Sequence, residues 1–200
     1  EGNLLEDQVD SAQIIHNSGN DLLHLINEIL DLSKIEAGKM ELRMGDIEIR
    51  EFASTLERNF KHIAWEKELS LNIVVRDNTP DIIVNDRQRA EQVLKNFLSN
   101  AFKFTDSGGV TVEIYKPEAG ITLIRPELNC DNTIAMDVRD TGIGIPKDKQ
   151  TQIFEAFQQL ETGTARKYGG TGLGLSISRE IAHLLGGEVH LQSEENKGAV

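Results

Sequence analysis

The chain has 200 residues, of which 21 are basic and 33 acidic, for a formal net charge of −12. Hydrophobic residues at 38% and charged residues at 27% exclude a wholly disordered chain, and the acidic balance excludes a nucleic-acid grip built on a basic surface. The single cysteine, Cys130, excludes an internal disulfide and a thiolate metal cage. No apolar run approaches the length of a membrane span, and the acidic first ten residues do not read as a signal peptide. Charge and glycine are both polarised. Residues 1–42 hold nine acids and two bases, and residues 108–198 hold 13 of the 17 glycines. The two ends are expected to do different jobs.

Residues 4–42 are predicted to form one long helix. Leu22, Ile26, Ile29 and Leu32 recur at helical spacing, and Leu23, Leu30 and Ala37 recur every seven. Two neighbouring apolar stripes imply burial on more than one side, as in a helical bundle. A helix of roughly 57 Å must pack on something outside this chain, most simply a second copy. A short strand over 47–49 precedes an amphipathic helix over 50–67, with Phe52, Leu56, Phe60 and Ile63 on one face. Residues 69–75 alternate as a half-buried strand does, and 81–84 read as another. Asp86 starts a helix to about Phe104, with Ala90, Val93, Leu94, Phe97 and Leu98 inward. Strands follow over 110–115 and 133–139, then a short helix from Pro146 to Phe157. The glycine-rich stretch 158–171 has no apolar period and reads as a gating loop. A helix over 173–185 is stopped by Gly186-Gly187, and 188–193 reads as a last strand. The fold class is α+β: a two-layer sandwich whose largely antiparallel sheet carries helices on one face, preceded by a long helix. Gly198-Ala199-Val200 reads as the start of a further strand, so the chain is expected to be a piece cut at both ends.

Three constellations carry chemistry. On a helix, Asn96, Asn100 and Lys103 share one face. Two amides and an ammonium on one stripe suit a hydrated Mg²⁺ and a phosphate oxygen, or are simply solvated. Asp140-Thr141-Gly142-Ile143-Gly144-Ile145-Pro146 follows a strand directly. A carboxylate there can accept from an exocyclic amine, and the glycines let the backbone approach a flat ring; a plain turn is the alternative. Gly169-Gly170-Thr171-Gly172-Leu173-Gly174-Leu175 opens a helix and can present N–H groups to an anion. It is neither a P-loop nor a dinucleotide fingerprint. Arg166 and Lys167 just upstream can reach a terminal phosphate, or are solvated charges of a flexible lid.

In their order and context these segments resemble the ATP-binding domain of sensor histidine kinases, in the wider group shared with gyrase, Hsp90 and MutL. Residues 96–105 are similar to that family's N box. Asp140–Gly144 resembles the first glycine box, Phe154-Glu155-Ala156-Phe157 the F box, and Gly170–Gly174 the second glycine box. Leu25-Ile26-Asn27-Glu28-Ile29-Leu30-Asp31-Leu32-Ser33-Lys34-Ile35-Glu36-Ala37-Gly38 is similar to the second helix of the dimerisation and histidine-phosphotransfer hairpin. The resemblance implies two parts, a partial dimerisation helix over 1–42 and a catalytic ATP-binding domain over 43–200 that lacks its last strand. It implies ATP and Mg²⁺ as ligands. Asp140 would bind the adenine amine. Asn100 would ligate Mg²⁺ with Asn96 beside it, Lys103 would contact phosphate, and Phe104 would flank adenine. Gly142, Gly144 and Ile145 would line the adenine wall. Gly170, Thr171, Gly172, Leu173 and Gly174 would meet the phosphates, with Arg166 nearby, while Phe154 and Phe157 anchor the lid.

The family's phosphoacceptor histidine sits in a segment with a neighbouring acid and an Arg-Thr-Pro, and none of the five histidines here (His16, His24, His62, His183, His190) has those neighbours. The chain is therefore expected to be a histidine kinase fragment that binds ATP without phosphorylating itself. The acceptor histidine would lie outside the chain and relay phosphate to a response regulator aspartate. Implied partners are a second copy, through the N-terminal helix and its missing hairpin partner, and a response regulator receiver domain. Neither nucleic acid nor membrane contact is expected of this fragment, which would form a cytoplasmic portion of the whole protein. Two alternatives remain: an ATP-driven clamp of the gyrase or Hsp90 kind, and a non-catalytic dimerisation module.

Overall fold

The computed structural model describes residues 6–118, 123–158 and 171–200. The chain forms two compact units, Glu1–Met40 and Glu41–Val200.

The first unit is helix α1, Glu6–Glu36. It stops earlier than the predicted residue 42, and the cause is local. Gly38 takes a left-handed conformation (φ +62), its N–H donates to the Ile35 carbonyl at 2.9 Å, and the Lys39 N–H reaches the Lys34 carbonyl at 2.8 Å. That pair of bonds is a glycine C-cap, and a left-handed residue cannot continue the helix. Ile15 (73%), Ile14 (66%) and Leu23 (60%) are exposed on α1. Among the described residues of its own unit this helix has nothing on which to bury them.

The second unit opens with strand β1, Gly45–Glu48, then helix α2, Ile49–Glu66. Phe52, Leu56, Phe60 and Ala64 recur at helical spacing and are buried with Ala53. Ile63, predicted inward, is 37% exposed. The buried residues of α2 are Ile49, Phe52, Ala53, Leu56, Phe60 and Ala64, and Ile63 is not among them. Strand β2 is Ser70–Val75 and β3 is Ile82–Asn85. Helix α3, Arg87–Phe104, leads to β4, Gly109–Tyr115, and then β5 is Ala135–Asp140.

Among the described residues the strands form two sheets rather than one. β1 pairs antiparallel with β3, and a second sheet has the order β2-β4-β5. β2 runs parallel to β4, while β4 and β5 are antiparallel. A parallel pair requires a crossover, and the chain between β2 and β4 supplies it through β3 and α3. In the central strand β4, Val110, Val112 and Ile114 alternate inward and are fully buried. They pack with Leu56, Leu98 and Phe102 in one core, where Phe60 stacks on Phe102 at 5.8 Å between ring centroids.

Both ends of α3 are secured. Asp86 caps its N-terminus, accepting from the Arg89 N–H at 3.0 Å and from the Arg43 N–H at 2.8 Å. Burial pushes the Asp86 carboxyl up, but donation from the Arg43, Arg89 and Gln88 N–H groups outweighs it and holds the group below its ordinary range. At the other end the Lys67 ammonium donates to the Phe102 carbonyl at 2.7 Å, a cation where the helix dipole favours one.

Two predicted elements are absent. Residues 146–157 hold only a short 3₁₀ turn, Gln152–Phe154, because the backbone turns extended at Glu155 (ψ 143). Residues 188–193 form no strand. Their alternation finds only a bridge between Ser193 and Ala199, flanked by reciprocal bonds between Gln192 and Val200. The segment read as a nascent strand does engage the sheet, since the Ala199 carbonyl accepts the Asp140 N–H at 2.9 Å. Helix α4, Gly174–Leu184, closes the unit. Its C-terminal carbonyl groups are met by Gly186 and Gly187 N–H and by the Asn85 amide, which reaches Leu185 at 3.2 Å. Among the described residues, no helix is long and apolar enough to cross a membrane.

Candidate functional site

Helix α3 is the spine of the site. Its outer stripe carries Asn96, Asn100 and Lys103, all half-buried. Asn96 is engaged by α4: its amide donates to the Ser178 hydroxyl at 2.9 Å. Gly174, first residue of α4, lies so close that a Cβ there would collide with the Asn96 amide oxygen. One turn on, Asn100 makes no side-chain hydrogen bond among the described residues, and its amide oxygen is an acceptor suited to a ligand. Burial pushes the Lys103 ammonium below its ordinary value, and the group sits 5.1 Å from the centre of the Phe104 ring. A partly desolvated ammonium gains from an arriving anion more than a solvated one does.

The end of α3 meets the loop after β5. The Phe104 carbonyl accepts the Ile143 N–H at 3.3 Å, and Gly142 abuts that same carbonyl with no room for a Cβ. The Gly142 N–H donates to the Asp140 carboxylate at 2.7 Å. Burial raises the Asp140 carboxyl above its ordinary range, and bonds from Gly142 and Ala199 N–H offset only part of this. Asp140, Gly142, Ile143 and Phe104 thus form one contiguous wall. Gly144 is left-handed (φ +63) and packs on the Glu194 carbonyl. The Ile145 N–H donates to the Ser193 hydroxyl at 2.8 Å, and the Asn196 N–H to the Ile143 carbonyl at 2.7 Å. The turn at 193–198 therefore buttresses the wall from behind.

The third constellation is described in part. Arg166 and Gly170 lie outside the described residues, as do Lys167 and the gating stretch at 159–170. The Thr171 hydroxyl accepts the Leu173 N–H at 3.2 Å, and Leu173 is fully buried. Gly172 is left-handed (φ +73), and its carbonyl accepts the Phe157 N–H at 3.1 Å. That bond joins the two flanks of the stretch. The Phe157 side chain is 66% exposed, so it is held by its backbone, while Phe154 lies 5.9 Å under the Arg179 guanidinium.

Ser178, Thr141 and the turn at 193–198 belong to this site and escaped the sequence reading. Thr141 had a signal: a hydroxyl directly after Asp140 that can bond a neighbouring loop. It accepts the Gly109 N–H at 3.0 Å and donates to the Ser107 carbonyl at 2.9 Å. Ser178, 82 residues from Asn96, had none.

The donor set fits a nucleotide with a divalent ion. Among the described residues no three His, Cys, Asp or Glu side chains converge as a metal cage. An ion here would take an amide oxygen from Asn100 and complete its shell with phosphate and water, as Mg²⁺ does at such sites.

Residues 85–200 match the family described as "Histidine kinase-, DNA gyrase B-, and HSP90-like ATPase". "Hybrid signal transduction histidine kinase B" of Dictyostelium discoideum is 41% identical over 196 residues, covering 96% of this chain and 9% of that protein. "Signal transduction histidine-protein kinase BarA" of Escherichia coli is 34% identical over 192 residues, covering 96% of this chain and 20% of that protein. Among solved structures, full-length ShkA in complex with AMPPNP superposes with a TM-score of 0.80 at 30% identity, covering 99% of this chain and 38% of that one. The chain thus spans a minor part of these relatives. The strand-loop wall on Asp140, the amide stripe of α3 and the glycines that open α4 all fall inside the matched span, and the chain belongs to the histidine kinase, DNA gyrase B and Hsp90-like ATPase family.

Proposed function

We propose that the chain is the ATP-binding catalytic portion of a sensor histidine kinase. The observation that carries this reading is the contiguous wall in which Phe104 ends the amide-bearing helix directly against Gly142, beside the Asp140 carboxylate. Asp140 accepts the adenine amine, and its raised carboxyl is the cost of keeping that acceptor out of water. Gly142, Gly144 and Ile145 give the base a flat backbone surface, flanked by Phe104. Lys103 neutralises phosphate charge. The phosphates are met at Thr171, Gly172 and Gly174 at the start of α4, with Leu173, whose own N–H is held by the Thr171 hydroxyl; Gly170 and Arg166, which the resemblance adds to this subsite, lie outside the described residues. Asn96 positions α4 through Ser178, and Asn100 would hold Mg²⁺. The ion, when bound, draws charge from the phosphate oxygens; the protein's share is orientation and charge neutralisation, as in phosphoryl transfer generally. The named relatives are histidine kinases, which favours this reading over a gyrase-type or Hsp90-type clamp.

The wider reading follows from the same family. The γ-phosphate passes to a histidine outside this chain and then to a response regulator aspartate, α1 contributes to a homodimer, and the fragment belongs to a cytoplasmic portion. Incubation with γ-labelled ATP tests it. The fragment alone should acquire no stable, acid-labile label, and a separately supplied hairpin with an acceptor histidine should acquire one. A label on the fragment itself would overturn the missing acceptor. Failure to label the hairpin, with Mg-ATP bound, would overturn the catalytic assignment.

A further inference from the structure

The loop over 140–145 contains Gly142 and Gly144, and glycines leave a loop many conformations to lose. Its shape therefore has to be imposed by ties to other segments. At its near end the Asp140 N–H donates to the Ala199 carbonyl at 2.9 Å. At its far end the Ile145 N–H donates to the Ser193 hydroxyl at 2.8 Å, and that hydroxyl donates in turn to the Gly198 carbonyl at 2.7 Å. The Ile145 carbonyl is held from the other side. The half-buried Gln150 amide nitrogen donates to it at 2.9 Å and to the Ser193 carbonyl at 2.9 Å. An amide nitrogen carries two hydrogens, enough for both carbonyls. Gln150 thus fastens the far end of the loop to the turn at 193–198. That turn also holds the middle of the loop, through the bond from the Asn196 N–H to the Ile143 carbonyl and the close packing of Gly144 on the Glu194 carbonyl.

We infer that Gln150 is a positioning residue of the base subsite, acting through the Ile145 and Ser193 backbone to hold the loop in the shape that receives the base. This rests on the nucleotide reading above. Without the tie the loop samples other shapes, and the apparent affinity falls with the share of molecules that keep the binding shape. Global stability moves less, because Ile145 and Ser193 are themselves half-buried and water can replace the amide at their carbonyls.

Gln150→Met keeps the length of the side chain and deletes both donors. Gln150→Lys keeps donors, and an ammonium already serves a backbone carbonyl in this fold where Lys67 meets Phe102 at 2.7 Å. Gln150→Glu, ionised at neutral pH, offers only acceptors to the two carbonyls. The readouts are the melting temperature of the free protein and the ADP affinity by titration calorimetry with Mg²⁺, at a temperature where every variant is folded. Gln150→Met should melt within about 5 °C of wild type and bind ADP about tenfold more weakly, a loss of ~1.4 kcal/mol. Gln150→Glu should bind at least as weakly as Gln150→Met, and Gln150→Lys should bind within about threefold of wild type. A Gln150→Met protein that binds ADP as tightly as wild type overturns the inference. So does a Gln150→Lys protein no better than Gln150→Met, because restored donors would then restore nothing. A Gln150→Met protein that fails to fold also overturns it, marking an amide that serves the fold rather than the site. Wild-type protein that does not bind ADP would instead overturn the nucleotide reading itself, and this inference with it.

Discussion

The N–H of Gly142 donates to the Asp140 carboxylate across 2.7 Å, and the same glycine leaves no space for a side chain against the Phe104 carbonyl. One residue thus aims the carboxylate and sets the separation between the end of α3 and the loop after β5. Gly142→Ala puts a methyl group into backbone rather than into a side chain able to move aside. Overpacking of this kind costs about 1–3 kcal/mol. For a chain of this size the melting temperature should fall by roughly 2–12 °C, and nucleotide affinity should fall with it. Gly45→Ala, where a Cβ meets nothing within 4 Å, is the control, and its melting temperature should stay within a degree or two of wild type, about 0.5 kcal/mol.

Asp86 gives the fold an acid-sensitive clasp. Its carboxyl is held below the ordinary range in the folded chain. A depressed carboxyl contributes stability that is present above its unfolded pKa, near 4, and is lost as pH falls through the folded value. Asp86→Ala should cost about 1–2 kcal/mol at neutral pH by loss of the cap. The difference between variant and wild type should shrink toward pH 3, as followed by urea denaturation across a pH series.

The bond from Asn96 to Ser178 ties α3 to α4. A double-mutant cycle of Asn96→Ala and Ser178→Ala should return a coupling of about 1 kcal/mol in stability. Non-interacting sites would return a coupling near zero.

Lys103 is partly desolvated, so its replacement relieves the free protein while removing charge from the phosphate subsite. Lys103→Met should leave the melting temperature unchanged or higher and weaken ADP binding by about tenfold or more, the scale of one charged hydrogen bond. Wild-type affinity should fall with added salt more steeply than that of the variant.

Local chemistry made much of this legible. Asp86 before a helical run announces a cap, Gly186 announces a stop, and the spacing of Asn96, Asn100 and Lys103 places them on one face before any coordinates. What escaped depends on partners distant in sequence. Val189 and Leu191 alternate as a strand does, but a strand exists only where another strand accepts its ladder, and these residues find little beyond the turn at 193–198. Ile63 fits the apolar face of α2 by period, yet it stays 37% exposed where Phe52, Leu56 and Phe60 are buried, and only the residues packed against the helix decide that. Gly38 directly follows Ala37, the last member of the seven-residue repeat, and a glycine there permits the left-handed turn that ends α1. Ser178 could not be seen at all, since nothing near it in sequence specifies Asn96.

The central claim is that Asp140 is the acceptor of a nucleotide site. Its carboxyl is raised by burial, so Asp140→Asn removes a desolvated charge and should leave the free protein at least as stable as wild type at neutral pH. A raised carboxyl disfavours the folded state once it ionises, so any gain in the variant should appear as pH rises through the raised value and vanish below the unfolded one, near 4. The decisive measurement is calorimetric titration of Mg-ADP into wild type and Asp140→Asn at equal folded fraction. The account predicts saturable binding at one site in wild type and a loss of about 30-fold or more in the variant, more than 2 kcal/mol. Wild-type protein that takes up no nucleotide, or a variant that binds equally well, would contradict it.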